Sequence, residues 1–297
     1  MRILLLGGTG QVGTELRALA RADEVSLVAP TRAELDLQDA QAIARIVAGE
    51  PWSVVINAAA YTDVDRAESE ESAASAVNAV APSRLAAETG HRGIPLVHIS
   101  TDYVFDGRKG APYVEQDAVD PLNAYGRSKI AGERGVRGGN PRHVVLRTSW
   151  VYSPFGKNFV KTILRLAAER ERLTIVADQR GCPTAARDIA RACLDIALRC
   201  ASEPEQARYG VYHFAGAGDA SWFEFAQAIV DMAADRLGRS PEVVPIRTID
   251  YPTPAVRAAD TRLDCTAILR AFGAAPRPWR QALAETINRL SPNKVMP

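Results

Sequence analysis

The first residues of this 297-residue chain hold the feature that most restricts its fold. An apolar strand, predicted over residues 2–6, runs directly into Gly7, and Gly10 and Gly13 follow before a helical pattern over 14–21. Glycines let the backbone turn sharply and approach a pyrophosphate, whose charge is favoured by the free N–H groups and dipole of a helix N-terminus. The stretch therefore predicts a dinucleotide-binding α/β fold, although flexible turns also use glycine.

The composition is that of an ordinary globular protein with nearly balanced charge. Hydrophobic residues make up 47% and charged residues 24%, and 36 Lys and Arg against 35 Asp and Glu leave a net charge of +1. This balance predicts no nucleic-acid partner and no anionic membrane surface. Apolar runs fall short of the roughly 20 residues needed to span a bilayer, and Gly7 and Gly8 interrupt the apolar start before a signal-peptide core. A cytoplasmic location is expected.

Metal and disulfide chemistry find little support in the sequence. The four cysteines, Cys182, Cys193, Cys200 and Cys265, have no C-x-x-C spacing, and the four histidines are scattered. We therefore expect reduced structural thiols and no metal site built by the protein.

The end of the second predicted strand, over 25–29, bears on the choice of nucleotide. An acidic residue there binds the 2′-hydroxyl of NAD, whereas an Arg accommodates the 2′-phosphate of NADP. The sequence has Ala29 and then Arg32, which favours NADPH and leaves NADH possible; the alternative for Arg32 is a solvated surface residue. Asp36 and Leu37 are predicted at a third short strand facing the adenine, although Asp36 also suits a helix cap.

Small residues follow the next predicted strand, over 53–57. Ala58 and Ala60 would let a cofactor lie close to the backbone, although tight helix–sheet packing also requires alanine. A helix over 72–88 comes next, and its Pro82 should start or kink a segment.

Tyr125 and Lys129 form the pair most typical of catalysis. Positions i and i+4 share a helix face, where the lysine charge would lower the pKa of the phenol and suit it to general acid catalysis. Such pairs also occur by chance. Thr101, after the strand over 95–100, would be a second donor to a developing alkoxide, or a cap for the following turn. Gly126 costs about 1 kcal/mol in a helix, which a closely approaching cofactor or strand would explain.

Several motifs in this order resemble the extended short-chain dehydrogenase/reductase superfamily. They are Gly7-x-x-Gly10-x-x-Gly13, Asn57-Ala58-Ala59-Ala60, Ser100-Thr101-Asp102-Tyr103-Val104-Phe105 and Tyr125-Gly126-x-x-Lys129. Further motifs are similar to the dTDP-4-dehydrorhamnose reductase family within it, namely Arg147-Thr148-Ser149-Trp150-Val151-Tyr152, Asn158-Phe159, Asp178-Gln179-x-Gly181-x-Pro183-Thr184 and Tyr251-Pro252-Thr253-Pro254-Ala255-x-Arg257.

The resemblance implies an NADPH-dependent oxidoreductase that reduces the C4 keto group of dTDP-4-dehydro-L-rhamnose to dTDP-L-rhamnose, a precursor of cell-surface polysaccharide. The nucleotide sugar is then the expected partner. Tyr125 would be the acid, Lys129 would hold the nicotinamide ribose, and Thr101 would bind the substrate oxygen.

The resemblance also implies two sets of binding residues. The cofactor set is Gly7, Gly10, Gln11, Val12, Gly13, Arg32, Asp36, Leu37, Ala58, Ala60, Tyr61, Thr62, Tyr125 and Lys129. The substrate set is Thr101, Asp102, Val104, Trp150, Asn158 and Arg257. Trp150 would pack on the sugar, with a core aromatic as the alternative, and Arg257 would bind the diphosphate through its guanidinium fork.

Magnesium binding and the oligomeric state are linked, because some relatives bind Mg²⁺ between subunits through glutamates. Glu15 matches one such position, but Arg187 stands where another glutamate is expected, and its charge would repel the ion. We therefore expect no metal, and either a monomer or a homodimer.

The predicted fold class is α/β, a Rossmann-type doubly wound parallel sheet with a smaller C-terminal substrate lobe. Residues 1–170 are assigned to the NADP-binding domain, with 185–216 returning to it, and 171–184 with 217–297 to the substrate lobe. Helices over 159–171 and 186–200 and a strand over 210–214 are expected to return to the first sheet.

Two other functions remain open at this point. A nucleotide-sugar 4-epimerase or 4,6-dehydratase would share the fold, but dehydratases need Thr-Asp-Glu where this chain has Tyr103. A non-catalytic NADP-binding regulatory subunit is also compatible with the fold, although Thr101, Tyr125 and Lys129 together argue against it.

Overall fold

A computed structural model describes residues 1–290 of the chain. The β-strands of this part are β1 (Arg2–Leu6), β2 (Ser26–Val28), β3 (Val54–Asn57), β4 (Leu96–Thr101), β5 (His143–Thr148), β6 (Val151–Tyr152), β7 (Arg172–Val176), β8 (Arg180–Gly181), β9 (Thr184–Ala185), β10 (Gly210–His213), β11 (Ala220–Ser221) and β12 (Glu242–Ile246).

The α-helices of the same part are α1 (Gln11–Ala22), α2 (Ala40–Ala48), α3 (Glu71–Ser75), α4 (Ala81–His91), α5 (Ala124–Gly139), α6 (Phe159–Glu169), α7 (Ala186–Ser202), α8 (Trp222–Leu237), α9 (Thr266–Phe272) and α10 (Trp279–Arg289). Short 3₁₀ turns cover Arg66–Glu68, Asp102–Val104 and Thr248–Asp250, and Ala76–Val80 is π-helical. Within residues 1–290 we find no helix that combines the length and the apolar character needed to cross a bilayer.

Six parallel strands form the central sheet in the order β10-β5-β4-β3-β1-β2. The chain runs from β1 to β2 on one side and continues with β3 on the other side of β1. Ligands of open α/β sheets bind outside the carboxyl ends of the strands at such a switch point. The Rossmann-type parallel sheet predicted from the sequence is confirmed, and β10 returns to it beside β5 as expected.

Helices cover both faces of this sheet, which is why its strands are mostly apolar. Side chains of β1 alternate between the faces: Ile3 and Leu5 pack with the layer of α1 and α7, whereas Leu4 and Leu6 pack with the layer of α2 and α4. The glycine turn after β1 therefore lies between two buried layers.

The smaller lobe has its own apolar cluster, to which α6, α8 and α10 contribute. β7 pairs with β12 beside α8. The expectation that α6 returns to the first sheet is wrong, because α6 packs against α8 in this cluster. The predicted domain boundaries stay predictions, and the part of 217–297 beyond residue 290 lies outside the described residues.

Two local predictions differ from the structure. Asp36 and Leu37 lie in a loop and not in a strand, and Asp36 accepts a hydrogen bond from Gln38 N at 3.0 Å. The helix predicted over 72–88 is interrupted by the π-helical turn just before Pro82. Such turns often mark functional sites, and this one carries Asn78.

Candidate active site

The glycine turn after β1 is shaped by close backbone approaches. Gly7 has φ +80°, and a Cβ there would lie 2.5 Å from Ala59 N. A Cβ on Gly13 would lie 2.1 Å from the Gly7 carbonyl oxygen. These contacts seat α1 directly over the turn, so that its free N-terminal N–H groups face the switch point. A pyrophosphate fits this cradle.

A large cleft runs from this turn along the carboxyl ends of the central strands. Predicted cofactor residues on its wall are Gly7, Gly10, Gln11, Val12, Arg32, Asp36, Leu37, Ala58, Ala60, Tyr61, Thr62, Tyr125 and Lys129. Gly13 is the exception: it does not line the cleft, and its role in the structure is the close approach of α1 to Gly7.

Helix α5 presents Tyr125 and Lys129 to this cleft. Asn123 caps the helix, because its Oδ1 accepts from Gly126 N at 2.8 Å. Tyr125 is 9% exposed and Lys129 is 1% exposed. Lys129 Nζ donates to the carbonyl oxygen of Ile99 at 2.8 Å, which fixes the ammonium group beneath the cleft.

The pKa of Tyr125 is raised in the structure, whereas the sequence predicted that it is lowered. Burial raises the pKa of Tyr125 above its ordinary value, while its contact with Thr101 opposes that rise. Burial also lowers the pKa of Lys129 to about 8, against the opposing charge of Glu133. Tyr125 is therefore a neutral phenol at neutral pH, which is the form that donates a proton.

Gly126 is explained by a strand-end contact and not by a cofactor. A Cβ at this position would lie 2.3 Å from the carbonyl oxygen of Tyr103 and 2.8 Å from Pro121 Cβ. The absence of a side chain lets α5 pack directly on the turn that follows β4. This packing places Tyr125 next to Thr101.

Thr101 ends β4 and faces Tyr125. Its hydroxyl accepts from Tyr103 N at 3.2 Å, so the predicted capping role is present, and it donates to Asp102 Oδ1 at 3.1 Å. Thr101 also lines the large cleft. Its contact with the substrate oxygen stays a prediction.

The next two predicted substrate residues are placed differently from expectation. Asp102 is 1% exposed, and hydroxyl groups occupy both of its carboxylate oxygens. Val104 is fully buried and packs in an apolar cluster with Phe105 and Tyr113. Val104 points into this cluster, whereas Asp102 lines the large cleft although its carboxylate accepts from these hydroxyls, so the contact of either residue with the substrate stays a prediction.

Trp150 lies where the large cleft meets a smaller pocket, and it lines both. Its backbone has φ +45°, a left-handed conformation that costs a non-glycine residue roughly 1–2 kcal/mol. The indole stacks on Trp222 with 3.4 Å between ring centroids and 4° between planes. A Cβ on Gly181 would lie 2.5 Å from the same indole. Sequence reasoning missed Trp222, which follows a helix cap and resembles a core aromatic.

Arg257 lines the small pocket together with Arg180 and Gln179. Its guanidinium group donates to both oxygens of Asp65, at 2.8 and 2.9 Å. The pair fixes the planar fork at the pocket wall, where it suits an anionic group. Asp65 was not predicted, because 192 residues separate the partners.

Asn158 caps α6 and also reaches the glycine turn. Its Nδ2 donates to Gln11 Oε1 at 2.9 Å and to the carbonyl oxygen of Ser153 at 2.8 Å. Asn158 and Gln11 both line the large cleft, so their hydrogen bond joins the smaller lobe to the N-terminus of α1. Thr148, at the end of β5, was missed. Thr148 lines the large cleft, and its buried hydroxyl has no hydrogen-bond partner in the described part of the chain.

The residues around Glu15 do not fit a magnesium ion. The Glu15 carboxylate is fully buried and accepts from Arg289 Nη1 and Nη2 at 2.7 and 3.0 Å, with Arg187 Nη1 at 3.7 Å. Mg²⁺ needs free oxygen ligands, whereas this carboxylate faces guanidinium groups. Among residues 1–290, no group of three or more His, Cys, Asp or Glu side chains is placed to hold a metal.

Comparison with protein families identifies one family across nearly the whole chain. The model described as the RmlD substrate binding domain matches residues 1–291. A curated relative, a dTDP-4-dehydrorhamnose reductase of Burkholderia thailandensis, is 45% identical over 297 residues, covering 98% of this chain and 99% of the relative.

Two solved structures are similar over almost their full length. A dTDP-4-dehydrorhamnose reductase from Clostridium acetobutylicum has a TM-score of 0.89 at 35% identity, covering 98% of this chain and 99% of that chain. A dTDP-4-dehydrorhamnose reductase from Bacillus anthracis, solved in complex with NADP, has a TM-score of 0.89 at 33% identity, covering 97% and 98%.

Proposed function

The chain belongs to the RmlD substrate binding domain family, and we propose that it reduces the C4 keto group of dTDP-4-dehydro-L-rhamnose to dTDP-L-rhamnose with NADPH. The observation that carries this function is the convergence of Thr101, Tyr125 and Lys129 on one cleft that begins at the glycine turn. A cleft with a pyrophosphate cradle at one end and a neutral phenol at the other suits a nicotinamide reductase.

Bound NADPH supplies the hydride to the sugar C4. The chain supplies orientation and the proton. The N-terminus of α1 and the backbone of the glycine turn bind the pyrophosphate, and Arg32 lies on the same cleft wall for a 2′-phosphate. Lys129, whose ammonium donates to the Ile99 carbonyl, would hold the nicotinamide ribose.

Tyr125 donates its phenolic proton to the sugar oxygen as hydride arrives at C4. Burial keeps the phenol protonated until that oxygen becomes a strong base. Trp150 and Trp222 form an aromatic wall beside the sugar. The fork of Arg257, held by Asp65, binds the diphosphate in the small pocket.

Asp102 distinguishes this reaction from dehydration. A dehydratase uses acid and base groups after the threonine to remove water. In this chain Tyr103 takes the second position, and the carboxylate of Asp102 is turned into the protein. The side chains after Thr101 therefore leave proton donation to Tyr125.

Oxidation of NADPH, followed by its absorbance in the presence of dTDP-4-dehydro-L-rhamnose, tests the proposal. We expect rapid oxidation with this substrate, slower oxidation with the UDP-linked sugar, and a preference for NADPH over NADH. Tightly retained NAD and turnover without added cofactor would instead indicate an epimerase. Cofactor binding without turnover of any nucleotide sugar would indicate a regulatory subunit. The cytoplasmic location and the monomeric or homodimeric state stay predictions.

A further inference from the structure

Thr148 carries a buried hydroxyl that the described chain leaves without a partner. The residue ends β5 and is 4% exposed, and its Oγ1 forms no hydrogen bond within residues 1–290. A buried hydroxyl in this state costs stability, because it has given up water and gained no protein partner in return. Such groups are few in native proteins. A partner supplied by a ligand would account for this one.

The register of the central sheet places Thr148 beside Thr101. The two are partners in the pairing of β4 with β5, and two residues earlier Ile99 is the partner of Leu146. Ile99 and Leu146 both pack in the apolar layer of α1 and α7. Because side chains alternate between the faces of a strand, Thr101 and Thr148 share one face as well. Both residues line the large cleft.

The two threonine hydroxyls differ in what holds them. That of Thr101 donates to Asp102 Oδ1 at 3.1 Å and accepts from Tyr103 N at 3.2 Å. The hydroxyl of Thr148 keeps its proton and both acceptor positions unused within residues 1–290. Rotation about the Cα–Cβ bond moves it between staggered positions. It can therefore turn toward a group in the cleft without breaking a hydrogen bond to the described chain.

The position of Thr148 in the sheet selects one end of the cofactor. The glycine turn follows β1, and the expected adenine residues Asp36 and Leu37 follow β2, whereas β5 lies on the far side of β1, beyond β3 and β4. A dinucleotide with its pyrophosphate at the glycine turn therefore extends its nicotinamide half toward β5. The polar substituent of that ring is a carboxamide, which both donates and accepts hydrogen bonds. A threonine hydroxyl matches it in both respects.

We propose that Thr148 is a cofactor-binding residue, whose hydroxyl hydrogen-bonds the carboxamide of the nicotinamide and holds the ring beside Tyr125. This inference rests on the proposed function. Thr148 takes no part in the transfer of the proton. It fixes the ring from the strand next to Thr101, whereas Lys129 approaches the same half of the cofactor from α5.

The experiment measures Kd values by calorimetry in the absence of sugar. The probes are NADP⁺ and 2′-phosphoadenosine diphosphoribose, which is the same nucleotide without its nicotinamide. Thr148→Val removes the hydroxyl with little change of shape, so the Kd for NADP⁺ should rise about 3- to 10-fold, the worth of one hydrogen bond. The Kd for the fragment should change by less than about twofold. Thr148→Ser keeps the hydroxyl and should keep the Kd for NADP⁺ within about twofold of the wild type.

The melting temperature of the ligand-free protein is a second readout. Thr148→Val should raise it by about 2–4 °C, because the variant no longer buries an unpaired hydroxyl. Thr89→Val is the matched control, since the buried Thr89 hydroxyl donates to the carbonyl oxygen of Leu85 at 2.8 Å and Thr89 does not line the cleft. That control should melt at a lower temperature and bind NADP⁺ like the wild type.

Four results would overturn the inference. The first is a Kd for NADP⁺ in Thr148→Val like that of the wild type, and the second is an equal rise in the Kd for the fragment. The third is a higher KM for the sugar at unchanged Kd for NADP⁺, which would show that the hydroxyl faces the sugar. The fourth is a lower melting temperature of ligand-free Thr148→Val, which would show a structural role.

Thr148→Ala also lacks the hydroxyl, and its Kd values decide the matter if Thr148→Val does not fold. A wild-type protein that binds NADP⁺ and reduces no nucleotide sugar would overturn the proposed function. The Kd values would still decide the role of Thr148, because they are measured without sugar.

Discussion

The two walls of the site are built in different ways. The reaction wall, formed by Thr101, Tyr125 and Lys129, is buried, and its partners lie 1 residue away for Thr101 (Asp102) and 30 residues away for Lys129 (Ile99). The substrate wall, formed by Trp150, Trp222 and Arg257, is held across long sequence separations. The Arg257 side chain is 20% exposed and that of its partner Asp65 is 39% exposed.

The reaction wall carries the groups that take part in the reduction, whereas the substrate wall carries the groups that bind the nucleotide sugar. The reaction wall is rigid because a helix, a strand end and buried hydrogen bonds fix each group. The substrate wall depends on how the smaller lobe meets the sheet, and its ion pair is partly open to solvent. Changes to the reaction wall should therefore lower kcat, whereas changes to the substrate wall should raise KM.

The largest expected effect comes from Tyr125→Phe. The variant loses the proton donor and keeps the ring, so turnover should fall roughly 10²- to 10⁴-fold, the usual contribution of a general acid. NADPH binding, measured by fluorescence titration, should stay within about twofold. Tyr209→Phe is the control, because its hydroxyl donates to the Pro204 carbonyl away from the cleft. Unchanged turnover in Tyr125→Phe would show that Tyr125 is not the general acid.

The substrate wall is tested by Arg257→Lys. Lysine keeps the charge but cannot bind Asp65 and a diphosphate with a planar fork, so KM should rise roughly 10- to 100-fold. The value of kcat should change less than about threefold. Arg199→Lys is the control for loss of a guanidinium group. Arg199 lies near the C-terminal end of α7, where it forms an exposed ion pair with Glu203. A fall in kcat at constant KM would contradict the division between the two walls.

A pair of glycines on α5 tests how the reaction wall is seated. Gly126→Ala places a Cβ against the Tyr103 carbonyl and should lower the free energy of unfolding by about 1–3 kcal/mol. Gly138→Ala meets nothing within 4 Å and should raise it by up to about 1 kcal/mol. Denaturant unfolding measures both. Equal stabilities would show that α5 is not tightly packed on the turn after β4.

A further prediction concerns the stability cost of Lys129 and its dependence on pH. The unfolded chain holds the lysine proton up to a pKa of 10.5, whereas the folded chain holds it up to about 8. Lys129 therefore costs on the order of 3 kcal/mol below pH 8, and the cost disappears as the pH rises toward 10.5. Lys129→Met should be more stable than the wild type at pH 7. The stability difference should narrow between pH 8 and 10.5, and a constant difference would contradict the lowered pKa.

The reaction wall could be placed from the sequence because its signals are local. The i, i+4 spacing put Tyr125 and Lys129 on one helix face, and the strand end put Thr101 at the same sheet edge. The Rossmann-type fold followed from the glycine turn and the order of strands. The π-helical turn at Ala76–Val80 was missed, because it follows from tertiary contacts of Asn78 with Tyr61 and Ser128.

The substrate wall and the inward turn of Asp102 could not be derived in this way. Trp222 and Asp65 contact their partners across 72 and 192 residues, and no periodicity records such contacts. The pKa of Tyr125 was misjudged for a related reason. Sequence spacing shows that a lysine is near, but the burial that raises the pKa of the phenol is visible only in the structure.

Hydride transfer from the cofactor to the sugar can be followed by placing deuterium on the nicotinamide ring. The wild-type protein is incubated with dTDP-4-dehydro-L-rhamnose and each C4-deuterated form of NADPH in turn, and the sugar is examined by proton NMR. We expect dTDP-L-rhamnose with deuterium at the sugar C4 from one of the two forms, and loss of that transfer in Tyr125→Phe. A product with C4 hydrogen taken from solvent, or no product with NADPH bound, would contradict it.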